Sequence, residues 1–381
     1  MISKSKQFLK SDFFKNSSIY FLFTFAGKII PFLIIPLMTK YLVPEQYGIM
    51  AIYQMYVSIA LLIIGLELYR YIDVYYFKVE KIELEKYISS LISLVLLISI
   101  FTFLLVFLLQ NIIDIPKIDV FWILFIPLII FVRFVFIVNV GLLRNEEKAI
   151  SYGIYTISEA IINSLIALLL VWLFHSWTGK AIGIIVSVII VGIFSIYRLK
   201  KVYNLRLEIK RSLIIKALKF SLPYVLGLNL ANVIYTNSDK IILLHFFDYS
   251  IVGIFAVALA FATIVTFITD SFMKAWVPIF YRALKSNDKS IDQKSFFIFI
   301  GLGIISIISI FILMFIMKYM IDEQYYDSID IMPYIAFAFI FRVGEQILLN
   351  YINYYEKTAV LYNVVFLAVL SSIVCAYFLV D

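Results

Sequence analysis

Apolar runs of roughly 17 to 24 residues, separated by short clusters of charge, recur along the chain near 17–38, 49–69, 89–110, 120–141, 150–173, 180–197, 220–236, 250–273, 295–317, 331–351 and 359–379. At ~1.5 Å of rise per residue each is long enough to cross ~30 Å of hydrocarbon, so eleven helical spans are predicted. None of the runs alternates apolar and polar positions as a barrel strand does. A helix is then the form that leaves no backbone group unpaired in lipid. The charged stretch 78–87 reads as a solvated helix between two spans.

Composition sharpens the class. With 64% hydrophobic and 15% charged residues among 381, the chain cannot build a water-exposed shell, and soluble enzymes and nucleic-acid-binding proteins are excluded as candidates. The net charge of +7 lies between the apolar runs and is read as a membrane-orientation signal. The single cysteine, Cys375, permits no internal disulfide, and His175 and His245 stand far apart, so no metal centre is predicted. Lys4, Lys6, Lys10 and Lys15 precede a first run too long for a cleaved signal sequence, which is read as a retained span with a cytoplasmic N-terminus. That orientation puts 24 Lys and Arg inside, five outside (Lys40, Lys117, Lys180, Lys240, Lys318) and three within spans. Eight basic residues fall between Arg198 and Lys219, which marks a cytoplasmic linker between two halves. Residues 1–205 are accordingly read as an N-terminal lobe with spans one to six, and 206–381 as a C-terminal lobe with spans seven to eleven. No segment between spans exceeds about twenty-five residues, too few for a separate catalytic domain.

An internal duplication supports the halves. Arg133, Glu147 and Lys148 recur as Arg342, Glu356 and Lys357 at an offset of 209, and the Tyr47 to Ala51 segment resembles Val252 to Ala256 at an offset of 205. Six spans separate each pair, so the copies keep one orientation, as in parallel repeats about an axis along the membrane normal with a cavity between them. The counterpart of span six would begin near 389, beyond Asp381. The expectation is a truncated chain, with an eleven-span protein as the alternative.

Three cations lie deep in predicted spans: Lys28, Arg133 and Arg342. Each costs ~2.5 to 3.5 kcal/mol if it faces lipid, so all three are expected to face protein or water, as contacts for an anionic passenger such as a phosphate or pyrophosphate. Their candidate charge partners are Glu159 and, three residues beyond Arg342, Glu345. Glu67 and Asp270 occupy equivalent span ends and are candidates for a coupling H+ or Na+, with interfacial salt bridges to Arg70 and Lys274 as the competing reading. No cofactor is predicted. Span one (Gly27, Pro31, Pro36) and span seven (Pro223, Gly227, Asn229, Asn232) both read as interrupted helices, which places Asn229 and Asn232 as polar cavity-lining residues. No G-x-x-x-x-G-K-[ST] loop occurs, so ATP hydrolysis by that route is not expected.

The run Ile35-Pro36-Leu37-Met38-Thr39-Lys40-Tyr41-Leu42, followed by Pro44-Glu45-Gln46-Tyr47-Gly48, resembles the opening of Wzx-type polysaccharide flippases. Ser221-Leu222-Pro223, Asn237-Ser238-Asp239-Lys240, Val252-Gly253-Ile254-Phe255 and Ala275-Trp276-Val277-Pro278 continue that resemblance in order, with Lys40 and Lys240 where arginine is commoner. What the resemblance implies is an all-α polytopic protein of the multidrug/oligosaccharidyl-lipid/polysaccharide exporter type: two pseudo-symmetric helical lobes around a central cavity, twelve spans where eleven are visible. The implied activity is transport, not catalysis. The implied passenger is an O-antigen, lipopolysaccharide or capsule repeat unit on undecaprenyl pyrophosphate, moved across a bacterial inner membrane, with a polysaccharide polymerase as an implied partner. The alternatives are a cation-coupled drug or lipid-precursor exporter of the same fold, which as a cation carrier needs acids to dominate the cavity, and a membrane polysaccharide polymerase, which the short outer loops disfavour.

Overall fold

The computed structural model describes residues 12–112, 115–286, 288, 290–355 and scattered positions from 364 to 378; the predicted span 359–379 and the repeat residues Glu356 and Lys357 lie outside what is described. Among the described residues the chain is helical, without strands. In order, the helices are α1 (Asp12–Tyr41), α2 (Pro44–Gly65), α3 (Leu68–Tyr75), α4 (Lys81–Leu109), α5 (Val120–Leu124), α6 (Ile126–Asn145), α7 (Ala149–Phe174) and α8 (Thr178–Tyr203). There follow α9 (Arg211–Tyr224), a π-helical turn (Val225–Asn229), α10 (Leu230–Phe246), α11 (Tyr249–Lys285), α12 (Ile291–Met320), a 3-10 turn (Glu323–Tyr325) and α13 (Asp327–Tyr354). Nine stretches among the described helices are long and apolar enough to cross a membrane, and they coincide with predicted spans one to six and eight to ten.

Local chemistry sets the breaks. After Gly65 the chain turns through Leu66 (φ 47°) and Glu67 (φ 52°), two consecutive left-handed residues that end α2 and start α3. Asn204, also left-handed, closes α8. Asp248 caps α11, its carboxylate accepting from the amides of Ser250 at 2.8 Å and Ile251 at 3.1 Å. The charged stretch 78–87 is not a helix of its own: it divides between a turn and the first turns of α4.

Span one departs from its expected interruption, for α1 runs unbroken through Gly27, Pro31 and Pro36. A proline ring crowds the carbonyl four residues earlier, and for Pro31 that residue is Gly27, which has no Cβ to resist the carbonyl's tilt. In span seven the α-helix does give way, one residue after Pro223, to the π turn.

The chain divides into two compact units. The first comprises the residues up to Ile34 together with Ile52–Val233. Its helix α4 buries Leu84, Tyr87, Ile88, Leu91, Val95 and Ser99, a stripe at helical spacing, while Leu97, Phe101, Leu104 and Leu108 are exposed on the other side. That is the arrangement of a helix with protein on one face and lipid on the other. Helices α7 and α8 approach through small residues: a Cβ on Gly183 would stand 2.8 Å from the Ala167 Cβ, and one on Gly179 2.6 Å from the Val171 nitrogen.

Serines on α4 hold the segment that follows α8. The backbone amides of Arg206, Glu208 and Lys210 donate to the hydroxyls of Ser89 (3.2 Å), Ser93 (3.1 Å) and Ser90 (3.3 Å). Alternate amides point the same way because the segment is extended. Each bond is worth about 1 kcal/mol. Replacing Ser89, Ser90 and Ser93 together by Ala is therefore expected to raise hydrogen exchange at these three amides by at least about fivefold, measured by mass spectrometry on the detergent-solubilised protein.

The second unit comprises Ile35–Ala51 together with the chain from Ile234 onward. Met273, Trp276, Phe280, Ile291, Leu302, Val343 and Ile347 form its core, contributed by α11, α12 and α13. The start of α2 crosses the start of α11 at a pair of glycines. A Cβ on Gly48 would lie 1.8 Å from the Tyr249 carbonyl oxygen, and one on Gly253 2.0 Å from the Pro44 carbonyl oxygen. The contact is reciprocal, each glycine abutting the residue four positions before the other. Tyr325 seals the same region, its hydroxyl donating to the Leu42 carbonyl at 2.7 Å.

Candidate functional site

The first unit contains a cavity of about 310 Å³ lined by α2, α6, α7 and α8. Its polar lining is Gln54, Ser58, Arg133, Glu159, Asn163 and Lys180, set among Val57, Leu61, Ile129, Ile184 and Val188. Arg133 comes from the middle of α6, where its Nη1 donates to Glu159 Oε1 of α7 at 2.6 Å. The contact is made by one nitrogen and one oxygen, not by the two-pronged fork that arginine and carboxylate can form. The Arg133 side chain remains 33% exposed, and its guanidinium carbon sits 5.4 Å from the centre of the Phe136 ring.

Lys180 was not singled out by the sequence, which assigned it to an outer loop. The structure places it in the first turn of α8, where its Nζ donates to Asn163 Oδ1 at 3.1 Å. Asn163 follows Glu159 by one helical turn, so carboxylate and amide lie on one face of α7. That Glu159-x-x-x-Asn163 spacing within an apolar run was the signal available in the sequence. The hydropathy boundary at Lys180, which put it outside the span, concealed the rest.

The remaining predicted site residues are placed as follows. Lys28 is exposed on α1 and is not part of the cavity lining. Arg342 lies on α13 in the second unit, 48% exposed, and its Nε is 3.8 Å from Asp270 Oδ1 on α11. It faces Asp270 across two helices and not Glu345 on its own, which is exposed. Gln346 holds the same Asp270 oxygen, donating from Nε2 at 2.6 Å. Glu67 pairs with Arg70 and accepts from the Tyr69 hydroxyl at 2.7 Å. The side chain of Lys274 lies outside the described residues. Asn229 ends the π turn, its Nδ2 buried without a hydrogen-bond partner among the described residues. Asn232 and Thr236, one turn apart on α10, are both exposed on the same face.

A second charged cluster in the first unit is structural. Arg198 of α8 donates from Nη2 to both Glu146 oxygens (2.5 and 2.6 Å) and from Nη1 to Asn139 Oδ1 (2.7 Å). The Tyr203 hydroxyl and Lys148 Nζ also reach Glu146, at 2.5 and 2.8 Å. Burial alone would raise the Glu146 carboxyl, but the donors from Lys148, Tyr203 and Arg198 outweigh it and hold it below the ordinary value of 4.5. At Asp73 the balance reverses. Burial pushes this carboxyl up although Arg144 and Asn145 pull it down.

Among the described residues no group of three or more His, Cys, Asp or Glu is placed to hold a metal ion. The site is thus a membrane-embedded polar cavity in which two cations face one carboxylate.

A family model described as polysaccharide biosynthesis protein matches residues 13–284. The chain is 23% identical over 358 residues to the Lsg locus putative protein 1 of Haemophilus influenzae, covering 90% of this chain and 85% of that protein. It is 22% identical over 376 residues to a protein of the same organism described as an uncharacterized membrane protein, covering 94% and 88%. No solved structure matches the chain. With the family model spanning well over half its length and its helices long and apolar enough for repeated crossings, this multi-pass membrane protein belongs to the polysaccharide biosynthesis protein family.

Proposed function

We propose that the protein is a flippase that moves undecaprenyl-pyrophosphate-linked oligosaccharide repeat units across the bacterial inner membrane by alternating access. The observation that carries this reading is the cavity where Arg133 and Lys180 face the single carboxylate of Glu159 amid apolar helices. Its excess of positive charge suits an anionic group, whereas a cation exporter needs the opposite sign. Its volume of about 310 Å³ suits a phosphate-type headgroup better than a whole oligosaccharide. The sugar and the prenyl chain then lie outside it. Family membership supplies the saccharide half of the reading.

Arg133→Ala is expected to abolish surface polysaccharide while leaving the protein inserted at parental abundance, and Arg133→Lys is expected to retain part of the export, since a point charge replaces the fork. Quantitative cell-surface polysaccharide staining, with membrane fractions blotted in parallel, measures both. Parental export by an inserted Arg133→Ala variant overturns the reading.

A further inference from the structure

We infer that Glu159 is a built-in stand-in for the passenger's anionic group: it occupies Arg133 while the cavity is empty and passes to Lys180 when a phosphate-type anion takes its place. The inference rests on the flippase reading and names how the same cavity loads and unloads.

The cavity holds two cations and one carboxylate, so one cation must lack an ionic partner in either arrangement. Here Arg133 has the carboxylate, and Lys180 makes its hydrogen bond to the neutral amide of Asn163. An ammonium buried against a neutral group, within electrostatic reach of Glu159, is a waiting acceptor for that carboxylate. The transfer is short. Asn163, which holds Lys180, is one turn from Glu159 on α7, a separation of about 5 to 6 Å between neighbouring Cβ atoms that a change of rotamer spans. The present bond uses one Arg133 nitrogen and one Glu159 oxygen, and both side chains remain partly open to the cavity, at 33% and 17%. An incoming anion can therefore reach the guanidinium before the carboxylate leaves.

Once exchanged, Arg133 carries the passenger and Lys180 carries Glu159, so both cations are paired. Release runs the sequence backwards, with Glu159 returning as the competitor that displaces the anion. A site with cations alone binds such a group without a device for letting it go. An exchangeable internal carboxylate makes the site both attractive and leaky, which turnover requires.

The test is calorimetric titration of the full chain in nanodiscs with farnesyl pyrophosphate and, separately, with inorganic pyrophosphate. Glu159→Gln is expected to bind about tenfold more tightly, because the competitor is gone and the shape is kept. Lys180→Gln is expected to bind about tenfold more weakly, because the displaced carboxylate has no acceptor. In Glu159→Gln/Lys180→Gln that weakening is expected to vanish. Unchanged or weaker binding by a Glu159→Gln variant that elutes as a folded monodisperse species overturns the exchange. A Lys180→Gln loss that persists in the double variant also overturns it, since Lys180 then touches the anion itself. Failure of both probes to bind parent and Glu159→Gln alike does the same. Arg133→Gln separates the two claims: parental affinity there sinks the flippase reading itself, whereas lost binding with no tightening in Glu159→Gln sinks the exchange alone. Between the probes, tightening confined to farnesyl pyrophosphate supports the exchange with a lipid headgroup, and equal tightening with inorganic pyrophosphate supports it with a free phosphate.

Discussion

Alanine at Gly48 or Gly253 is expected to destabilise the second unit by about 3 kcal/mol, the upper end of what overpacking a close contact costs. The added methyl would stand 1.8 or 2.0 Å from a backbone carbonyl oxygen, and no rotamer change can move a carbonyl aside. The starts of α2 and α11 must part instead, and Tyr325, whose hydroxyl reaches Leu42, must follow. Helix propensity pushes the other way, since alanine in a helix is favoured over glycine by roughly 1 kcal/mol. The sign of the effect therefore reports the contact. Gly301 on α12 supplies the contrast: nothing lies within 4 Å of the place its Cβ would take, so Gly301→Ala is expected to leave stability unchanged or raise it by up to ~1 kcal/mol. Thermal unfolding of the three variants in one detergent checks the prediction, and a Gly48→Ala protein as stable as Gly301→Ala refutes it.

Arg198→Ala is expected to cost about 3–5 kcal/mol, the penalty for stripping the partner from a buried charge. Only 13% of the Arg198 side chain and 9% of the Glu146 side chain are exposed, and the guanidinium holds Asn139 as well. The more open pair Arg144–Asp73, 56% and 21% exposed, is expected to contribute under about 1 kcal/mol. The two acids also respond oppositely to pH. Glu146 has its pKa held below the ordinary 4.5, so its contribution is full above that value and fades as the pH falls through the lower folded value. Asp73 has its pKa raised above 3.8 by burial, so whatever it adds is present below that value and is lost as the pH rises through the higher folded one. Unfolding temperatures of the parent and of Glu146→Gln between pH 3 and 7 are expected to converge at the acid end. A gap that stays constant over that range contradicts the assignment.

Much of the fold was legible because a bilayer imposes a length on each apolar run, and that length alone located the helices that coincide with spans one to six and eight to ten. Their ends were less legible. Helix α4 begins at Lys81, eight residues before the predicted span, since charged residues continue a helix once it leaves hydrocarbon. Helix α1 was expected to break at its prolines and does not, because the cost of a proline depends on the residue beneath its ring. The site divides along the same line. Arg133 and Glu159 were recognised from depth in an apolar run, but the partner of Arg342 was sought on its own helix at Glu345, the only spacing a linear reading can measure. Asp270 stands on a different helix. Lys180 was missed for a related reason: hydropathy averaged over a window draws the boundary beside a lysine, whereas α8 begins two residues earlier and carries it over the cavity.

The π-helical turn at Val225–Asn229 has a consequence for how this protein can vary. Such a turn accommodates one residue more than an α turn of the same height. Deleting one residue there leaves the helix continuous yet rotates all that follows by about 100°. Asn232 and Thr236 would swing off the face they now share, although neither had been substituted. Gain or loss of a single codon at this spot thus acts as a rotational dial, re-aiming a polar stripe with both ends of the helix fixed in place.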